Sequence, residues 1–357
     1  MATCIDRTRE KDFLAYWQYL REGTFLPEAS PIAYGACKQA RTLDYIAEKA
    51  ATKKRLHLKT KEKALLRTAL YQFYFMRAPR WAVGQEMGNL AKKYCHPFFA
   101  NFLNALMRQL PDELPRFPNL AIRYSYPDEL VEELLGDYPP ATVEKILELG
   151  NLSAKTFARK RPGFEMVEVV PDDIAALSLS QDVYLMNKAP AELIDFLARD
   201  LPPPRSLLDL CSSRGGKLLA LHDLFPQAQL FANDVSEQKL KRLQENCEKY
   251  RLKVSLSEHL GQHYPETTKF DLIVLDVPCS NTGVMRKHPE ARWRINDLVP
   301  LQNELLNKAR RLVHPDGHIL FLNCSVLKRE TPTGPKRLEK QILPDEEGRD
   351  GAYGCIL

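Results

Sequence analysis

No run of apolar residues in this chain approaches the ~20 needed to cross a bilayer as a helix, so a membrane anchor is not expected. The first residues offer Asp6, Arg7, Arg9, Glu10, Lys11 and Asp12 in place of an apolar signal segment. Neither secretion nor organelle import is therefore expected, and a cytoplasmic protein is the reading. Cysteine is sparse, eight in 357 residues, and no two stand in a C-x-x-C pair. That spacing argues against a disulfide scaffold and against a zinc site, so reduced thiols and no metal are expected. Cys355 stands third from the end of the sequence, one place too late for a prenylation box. Internal repeats and low-complexity tracts are missing as well. The net charge of +5 is too small to mark a nucleic-acid binder by itself, so only the placement of the cations is informative.

What is present is ordinary globular usage, 44% hydrophobic and 27% charged, in a chain long enough for more than one core. Helical periodicity dominates at first: Ala64, Leu65, Thr68, Ala69 and Phe73 fall on one face of a 3.6-residue repeat. An all-helical domain over residues 1–112 follows. Pro111, Pro115, Pro118, Pro127, Pro139 and Pro140 then punctuate a connecting subdomain over 113–163, with helices predicted at 128–136 and 141–149. From residue 164 strands and helices alternate, which predicts a doubly wound, Rossmann-like α/β domain over 164–357. The polar tail from 328 to 347 reads as loop. A monomer is expected.

Two cysteines stand just past strands of this α/β domain. Cys279 follows the apolar run 270–275 in Asp276-Val277-Pro278-Cys279-Ser280-Asn281-Thr282-Gly283, and Cys324 follows 318–322 in Asn323-Cys324-Ser325. Runs apolar on both faces suit a parallel sheet, and ligand and catalytic groups gather at the carboxyl ends of such strands. Upstream, the strand 206–210 leads into Cys211-Ser212-Ser213-Arg214-Gly215-Gly216-Lys217 and then an apolar helix. Glycines let a ligand approach the backbone, and a helix start offers free N–H groups. The next strand ends in Asp234, 25 residues after Asp209, a place that suits ribose hydroxyls. The loop has neither the G-x-G-x-x-G nor the Walker spacing, so an adenosine ligand without a pyrophosphate fits better than a dinucleotide or a nucleoside triphosphate.

Together, the 209–217 loop, the Asn233-Asp234-Val235 strand end, the stretch from Asp276 through Arg286-Lys287-His288-Pro289 to Trp293, and Asn323-Cys324-Ser325 resemble the RNA (cytosine-5)-methyltransferases of the bacterial Sun/Fmu type. Residues 61–72 and 99–108 are similar to the NusB-type helical RNA-binding domain that this branch carries ahead of its catalytic domain. The resemblance implies methyl transfer from S-adenosyl-L-methionine to carbon 5 of a cytosine in RNA, with small-subunit ribosomal RNA as substrate. It implies Cys324 as the nucleophile at carbon 6, Asp276 as the partner of nitrogen 3, and Cys279 as the group that assists release. Donor binding is implied for Cys211, Ser212, Ser213, Arg214, Gly215, Gly216, Lys217, Asp234 and Asp276.

RNA contact is expected from Arg286, Lys287 and His288, and from the cation-rich stretch Lys53, Lys54, Arg55, His57, Lys59, Lys61, Lys63 and Arg67, with a second cluster at Arg159-Lys160-Arg161. The neighbouring Tyr71, Phe73, Tyr74 and Phe75, and Trp293, read as core. The chain departs from the family pattern at Ser212, Ser213 and Arg214, where alanines and a proline are usual, and at Asn323, where threonine is usual. Glu258 is the nearest candidate for the acidic residue at the adenine edge. The rival readings are an RNA-binding protein with a weakened methyltransferase fold, and a methyltransferase acting on transfer RNA or protein.

Overall fold

The computed structural model describes residues 2–23, 31–52 and 55–357, and its contacts divide the chain into two units, 1–153 and 154–357. Lys53 and Lys54 lie outside the described residues.

The first unit is helical throughout: α1 (Ala2–Glu22), α2 (Pro31–Lys38), α3 (Ala40–Ala50), α4 (Thr60–Tyr74), α5 (Arg80–Tyr94), α6 (Pro97–Gln109), α7 (Leu120–Tyr124), α8 (Asp128–Asp137) and α9 (Pro140–Asn151). Its core joins Phe13 and Tyr16 of α1 to Leu65, Leu66, Ala69 and Leu70 of α4 and to Val83, Met87 and Leu103. α4 begins where Glu62 reaches back to accept the Lys59 N–H at 2.7 Å, satisfying a donor that the first helical turn leaves open. Tyr71, Phe73, Tyr74 and Phe75 pack against the same core, with Tyr71 stacked on Phe75. Helices α7–α9, expected in a connecting segment, lie within this unit. α3 ties to them through the Arg41 N–H to Ser125 Oγ (2.9 Å), Arg41 Nη1 to the Tyr126 carbonyl (2.6 Å) and Thr42 Oγ1 to the Ile122 carbonyl (2.7 Å).

The second unit opens earlier than its expected boundary, with β1 (Thr156–Lys160), β2 (Met166–Val169), α10 (Ile174–Leu179) and β3 (Val183–Leu185). These strands form a small antiparallel sheet of order β2-β1-β3. There follow α11 (Lys188–Ala198), β4 (Ser206–Asp209), α12 (Gly216–Leu224), β5 (Gln229–Asn233), α13 (Glu237–Lys249), β6 (Val254–Ser257), β7 (Phe270–Asp276), α14 (Val299–Leu312), β8 (Val313–Asn323), β9 (Leu338–Ile342) and β10 (Ala352–Ile356). The main sheet runs β6-β5-β4-β7-β8-β10-β9, parallel from β6 to β8, with β10 antiparallel to both of its neighbours.

Alternation along the strands explains the double winding. Leu207, Leu230, Leu272, Val274 and Leu320 meet α11, α12 and α13 on one face, while Leu208, Ile273, Leu275, Ile319 and Phe321 meet Leu305, Leu306, Ala309 and Leu312 of α14 on the other. The chain steps outward from β4 to β6 and then returns to the far side of β4 as β7. That reversal opens a crevice at the carboxyl ends of β4 and β7. The tail differs from the expected loop, since β9 lies within it and forms the sheet edge. Glu339, Lys340 and Gln341 are polar because the strand is an exposed edge, which hides it from hydrophobic patterning. Trp293, expected in the core, is 44% exposed. Among the described residues no helix is long and apolar enough to cross a membrane, and no group of three or more His, Cys, Asp or Glu is placed to hold a metal ion.

Candidate active site

β7 and β8 run side by side with Asp276 opposite Leu322, so the loops that leave them start at the same level. This register brings the two thiols together: Cys279 Sγ lies 3.1 Å from Cys324 Sγ, and the Cys324 N–H points at Cys279 Sγ at 3.4 Å. Cys324 Sγ also donates to Asn281 Oδ1 at 2.9 Å. Asn281 sits in the left-handed backbone region (φ 59°), a conformation asparagine tolerates better than most residues. Gly283 allows the close approach behind the thiols. Its N–H donates to the Cys324 carbonyl at 2.9 Å, and a Cβ there would lie 2.1 Å from the Gly351 carbonyl oxygen.

The Cys324 thiol is held well above its ordinary pKa. The hydrogen bond with Cys279 is the chief cause, followed by burial and then by the nearby Cys279 and Asp276, while Lys217 works the other way. Lys217 Nζ forms an ion pair with Asp276 Oδ2. Burial opposes the Lys217 charge, but the Asp276 carboxylate outweighs it and raises the lysine's pKa. Asp276 therefore sits between a cation and two thiols.

The loop after β4 forms one wall of a cavity of about 470 Å³ that reaches Asp234 at one end and Cys324 at the other. Gly215 takes φ +82°, and a Cβ on it would come within 2.3 Å of Leu243 Cδ1, so the turn requires glycine. Asp234 is 5% exposed and stitches the loop to β5, accepting the Ser213 N–H at 2.9 Å and the Ser236 N–H at 3.0 Å. Cys211, Ser213 and Lys217 line this cavity. Ser212 is buried, with its N–H on the Asn233 carbonyl at 2.9 Å, and burial pushes the Cys211 thiol pKa up. Arg214 and Gly216 instead line an adjoining cavity with Asn187 and Lys287. The walls fit S-adenosyl-L-methionine: a carboxylate for ribose, the glycine turn for close backbone approach, and the apolar Leu260, Leu301 and Leu305 for a base.

A second, smaller cavity of about 220 Å³ shares Lys217, Asp276, Asn281 and Cys324 with the first and opens toward His288, Val284 and Asn187. Cys324 and Asp276 thus stand where two chambers meet, with Cys279 on the side of the larger one.

The expected RNA-facing cations are only partly available. Arg286 is 5% exposed and donates to the Asp345 carbonyl, and Lys287 pairs with Asp350 and Asn187, so both brace the tail against the loop. His288 is exposed beside Glu290. In the first unit, Lys61 and Lys63 are half-buried, and Lys61 lies 4.4 Å over the Trp17 ring. Arg67 is absorbed by Asp44 and Tyr16. Arg159 is fully buried on Asp195, Arg161 clasps Asp223 and Lys160 pairs with Glu165, so this second cluster is a set of ion pairs. Glu258 is exposed and away from the donor cavity, whose corresponding wall is Leu260, Gly261 and Gln262. Gln262 carries no motif signal, because its place depends on contacts between distant loops, and Asn281, though inside the 276–283 motif, has no role that the motif alone assigns.

A parallel crevice with a glycine turn, an acidic strand end and strand-end thiols defines a Rossmann-like methyltransferase domain behind an all-helical one. Residues 200–353 match the family described as 16S rRNA methyltransferase RsmB/F, and residues 19–112 match the NusB family. The ribosomal RNA small subunit methyltransferase B of Vibrio cholerae is 28% identical, covering 91% of this chain and 88% of that protein, and that of Proteus mirabilis is 28% identical over the same shares. Among solved structures, PH0851 superposes with a TM-score of 0.70 at 19% identity, covering 97% of this chain and 98% of its own. A methyltransferase homolog protein from Pyrococcus horikoshii gives a TM-score of 0.55 at 17% identity, covering 68% of this chain and 99% of its own.

Proposed function

We propose that this protein transfers a methyl group from S-adenosyl-L-methionine to carbon 5 of a cytosine in RNA, with small-subunit ribosomal RNA as the substrate. The observation that carries the reading is the Cys279–Cys324 pair, 3.1 Å apart, with Cys324 and Asp276 at the junction of a large and a small cavity and Cys279 lining the large one. The large cavity suits the donor and the small one a cytosine taken out of its stack, because carbons 5 and 6 cannot be reached on both sides within a helix. Carbon 5 is a poor nucleophile until a thiolate adds to carbon 6. Cys324 gives up its thiol proton and its sulfur bonds carbon 6; the displaced electron pair moves into the ring, and that proton, taken up by Asp276, passes to nitrogen 3. Bound S-adenosyl-L-methionine supplies an electrophilic methyl group to the activated carbon. Cys279 then takes, or supports the base that takes, the carbon 5 proton; the electrons of that bond re-form the ring double bond and expel the Cys324 thiolate. Lys61, Lys63 and His288 are the assigned RNA contacts.

The test is a set of single variants assayed for 5-methylcytosine and for RNA-linked protein on denaturing gels. Cys324→Ala abolishes both signals. Cys279→Ala keeps the adduct, which accumulates as a linked band. Asp276→Ala loses turnover without the band. A band from Cys324→Ala would exchange the roles of the thiols, and full activity in both cysteine variants would end the covalent route.

A further inference from the structure

Behind the thiols lies a buried polar cluster that the chemistry above leaves unused, centred on Glu330, Ser280 and Gln302, which line neither cavity. Glu330, in the short helical turn after β8, is 2% exposed. Its carboxylate accepts the Ser280 N–H (2.9 Å), the Ser280 hydroxyl (2.5 Å) and Gln302 Nε2 (3.0 Å), and the same Gln302 amide reaches the Pro278 carbonyl at 2.9 Å. Its backbone carbonyl accepts Asn323 Nδ2 at 2.8 Å. One residue therefore holds both neighbours that matter: Ser280, which follows Cys279, and Asn323, which precedes Cys324.

The hydroxyls around it have their directions set by this carboxylate. Ser280 gives its one hydroxyl proton to Glu330, so toward Thr282 (3.0 Å) and Ser325 (3.2 Å) it accepts. Thr282 Oγ1 in turn accepts the Val326 N–H, and Ser325 Oγ the Leu327 N–H, fixing the turn that follows Cys324. A carboxylate withdrawn from water is costly unless its lone pairs are filled, and here neutral donors from both loops fill them. Opening either loop would leave those lone pairs bare, so the cluster resists any drift of one cysteine from the other.

We infer that Glu330 is a positioning residue that clamps the Cys279 and Cys324 loops together and so sets the thiol-to-thiol distance; its catalytic consequence rests on the methyltransferase reading. The first test does not depend on that reading. Phenylarsine oxide condenses with two adjacent thiols, forming two As–S bonds and releasing water, so RNA-free wild-type protein should capture it at a site lost in Cys324→Ser. Glu330→Gln, which keeps the shape but turns an amide N–H₂ toward donors, should weaken capture about tenfold, the effect of one poorly made charged hydrogen bond. Ser280→Ala should weaken it in the same direction, and serves alone if Glu330→Gln does not fold. The second test is turnover: kcat should fall while the KM for S-adenosyl-L-methionine stays within about twofold, since Glu330 does not line the large cavity, and the RNA-linked band should build up because release depends on Cys279. Unchanged capture in both variants, or a wild type that captures no more than Cys324→Ser, overturns the clamp. Weakened capture in a protein whose wild type methylates no RNA upholds the clamp and removes the methyltransferase reading.

Discussion

At the scale of single residues, the resting site keeps Cys324, the nucleophile of the proposed mechanism, protonated. Cys324 has its pKa raised by Cys279, burial and Asp276, and Lys217 is the cation that opposes the rise. A thiol whose pKa lies above its usual value gains thiolate as pH climbs, so the rate of methylation should rise on the alkaline side through the ordinary thiol range and beyond. Lys217→Met removes the opposing charge and should move that profile further alkaline, lowering kcat/KM at neutral pH about tenfold. Initial rates across pH for both proteins decide it, and a profile that stays in place would remove Lys217 from the control of the thiol. Asp276, Cys279 and Cys324 are legible in the sequence because each lies in a contiguous motif at a strand end. Lys217 is legible as a loop residue, but its partnership with Asp276 spans 59 positions and no local pattern encodes it. Gln262 and Glu330 are invisible for the same reason, and Arg286 and Lys287 mislead because a cation in a loop looks alike whether it faces water or a buried carbonyl.

At the scale of elements, the parallel strands are legible nearly to their ends, since a short apolar run between loop signals finds its burial in a doubly wound domain as a central strand. The hairpin of β9 and β10 is not, because an edge strand is built to look polar. The turn into α12 is the element whose backbone leaves least freedom. Gly215→Ala forces a side chain into a left-handed φ and against Leu243, so it should cost about 1–3 kcal/mol of stability. It should also weaken donor binding. Thermal melting and calorimetric titration with S-adenosyl-L-methionine measure the two effects, and a variant with wild-type values in both would mean that the loop relaxes without consequence. Arg159 and Arg161 belong to this scale too: their sequence has the look of a phosphate-binding cluster, yet they hold β1 to Asp195 of α11 and Asp223 of α12.

For the whole molecule, the basic stretch of the helical unit is thinner than its composition suggests. With Arg67 committed to Asp44 and Tyr16, the RNA contact proposed for this stretch rests on residues such as Lys61 and Lys63. RNA affinity of the full chain should fall steeply with salt through counterion release, and Lys61→Ala with Lys63→Ala should reduce the slope of log affinity against log salt by about one to two. Arg67→Ala should leave the slope alone and lower stability by about 1–3 kcal/mol, the cost of losing charged hydrogen bonds. Filter binding over a salt series and a melting curve separate these outcomes, and equal slopes in the lysine variants would move the RNA contact elsewhere.

β10 enters the sheet between β8 and β9, pairing Tyr353 with Asn323, and the Gly351 N–H closes on the Gly283 carbonyl at 2.8 Å. A growing polypeptide that has made Cys324 but not residues 351–356 therefore has one side of β8 unpaired and the loop of Gly283 untied. Helices of the first unit can form as they leave the ribosome, because their partners are near in sequence. The pair of thiols cannot be set until the closing strand has emerged. On the proposed mechanism catalytic competence is a late event in the synthesis of the protein, and a nascent chain stalled before Gly351 would carry Asp276, Cys279 and Cys324 without the strand that sets them.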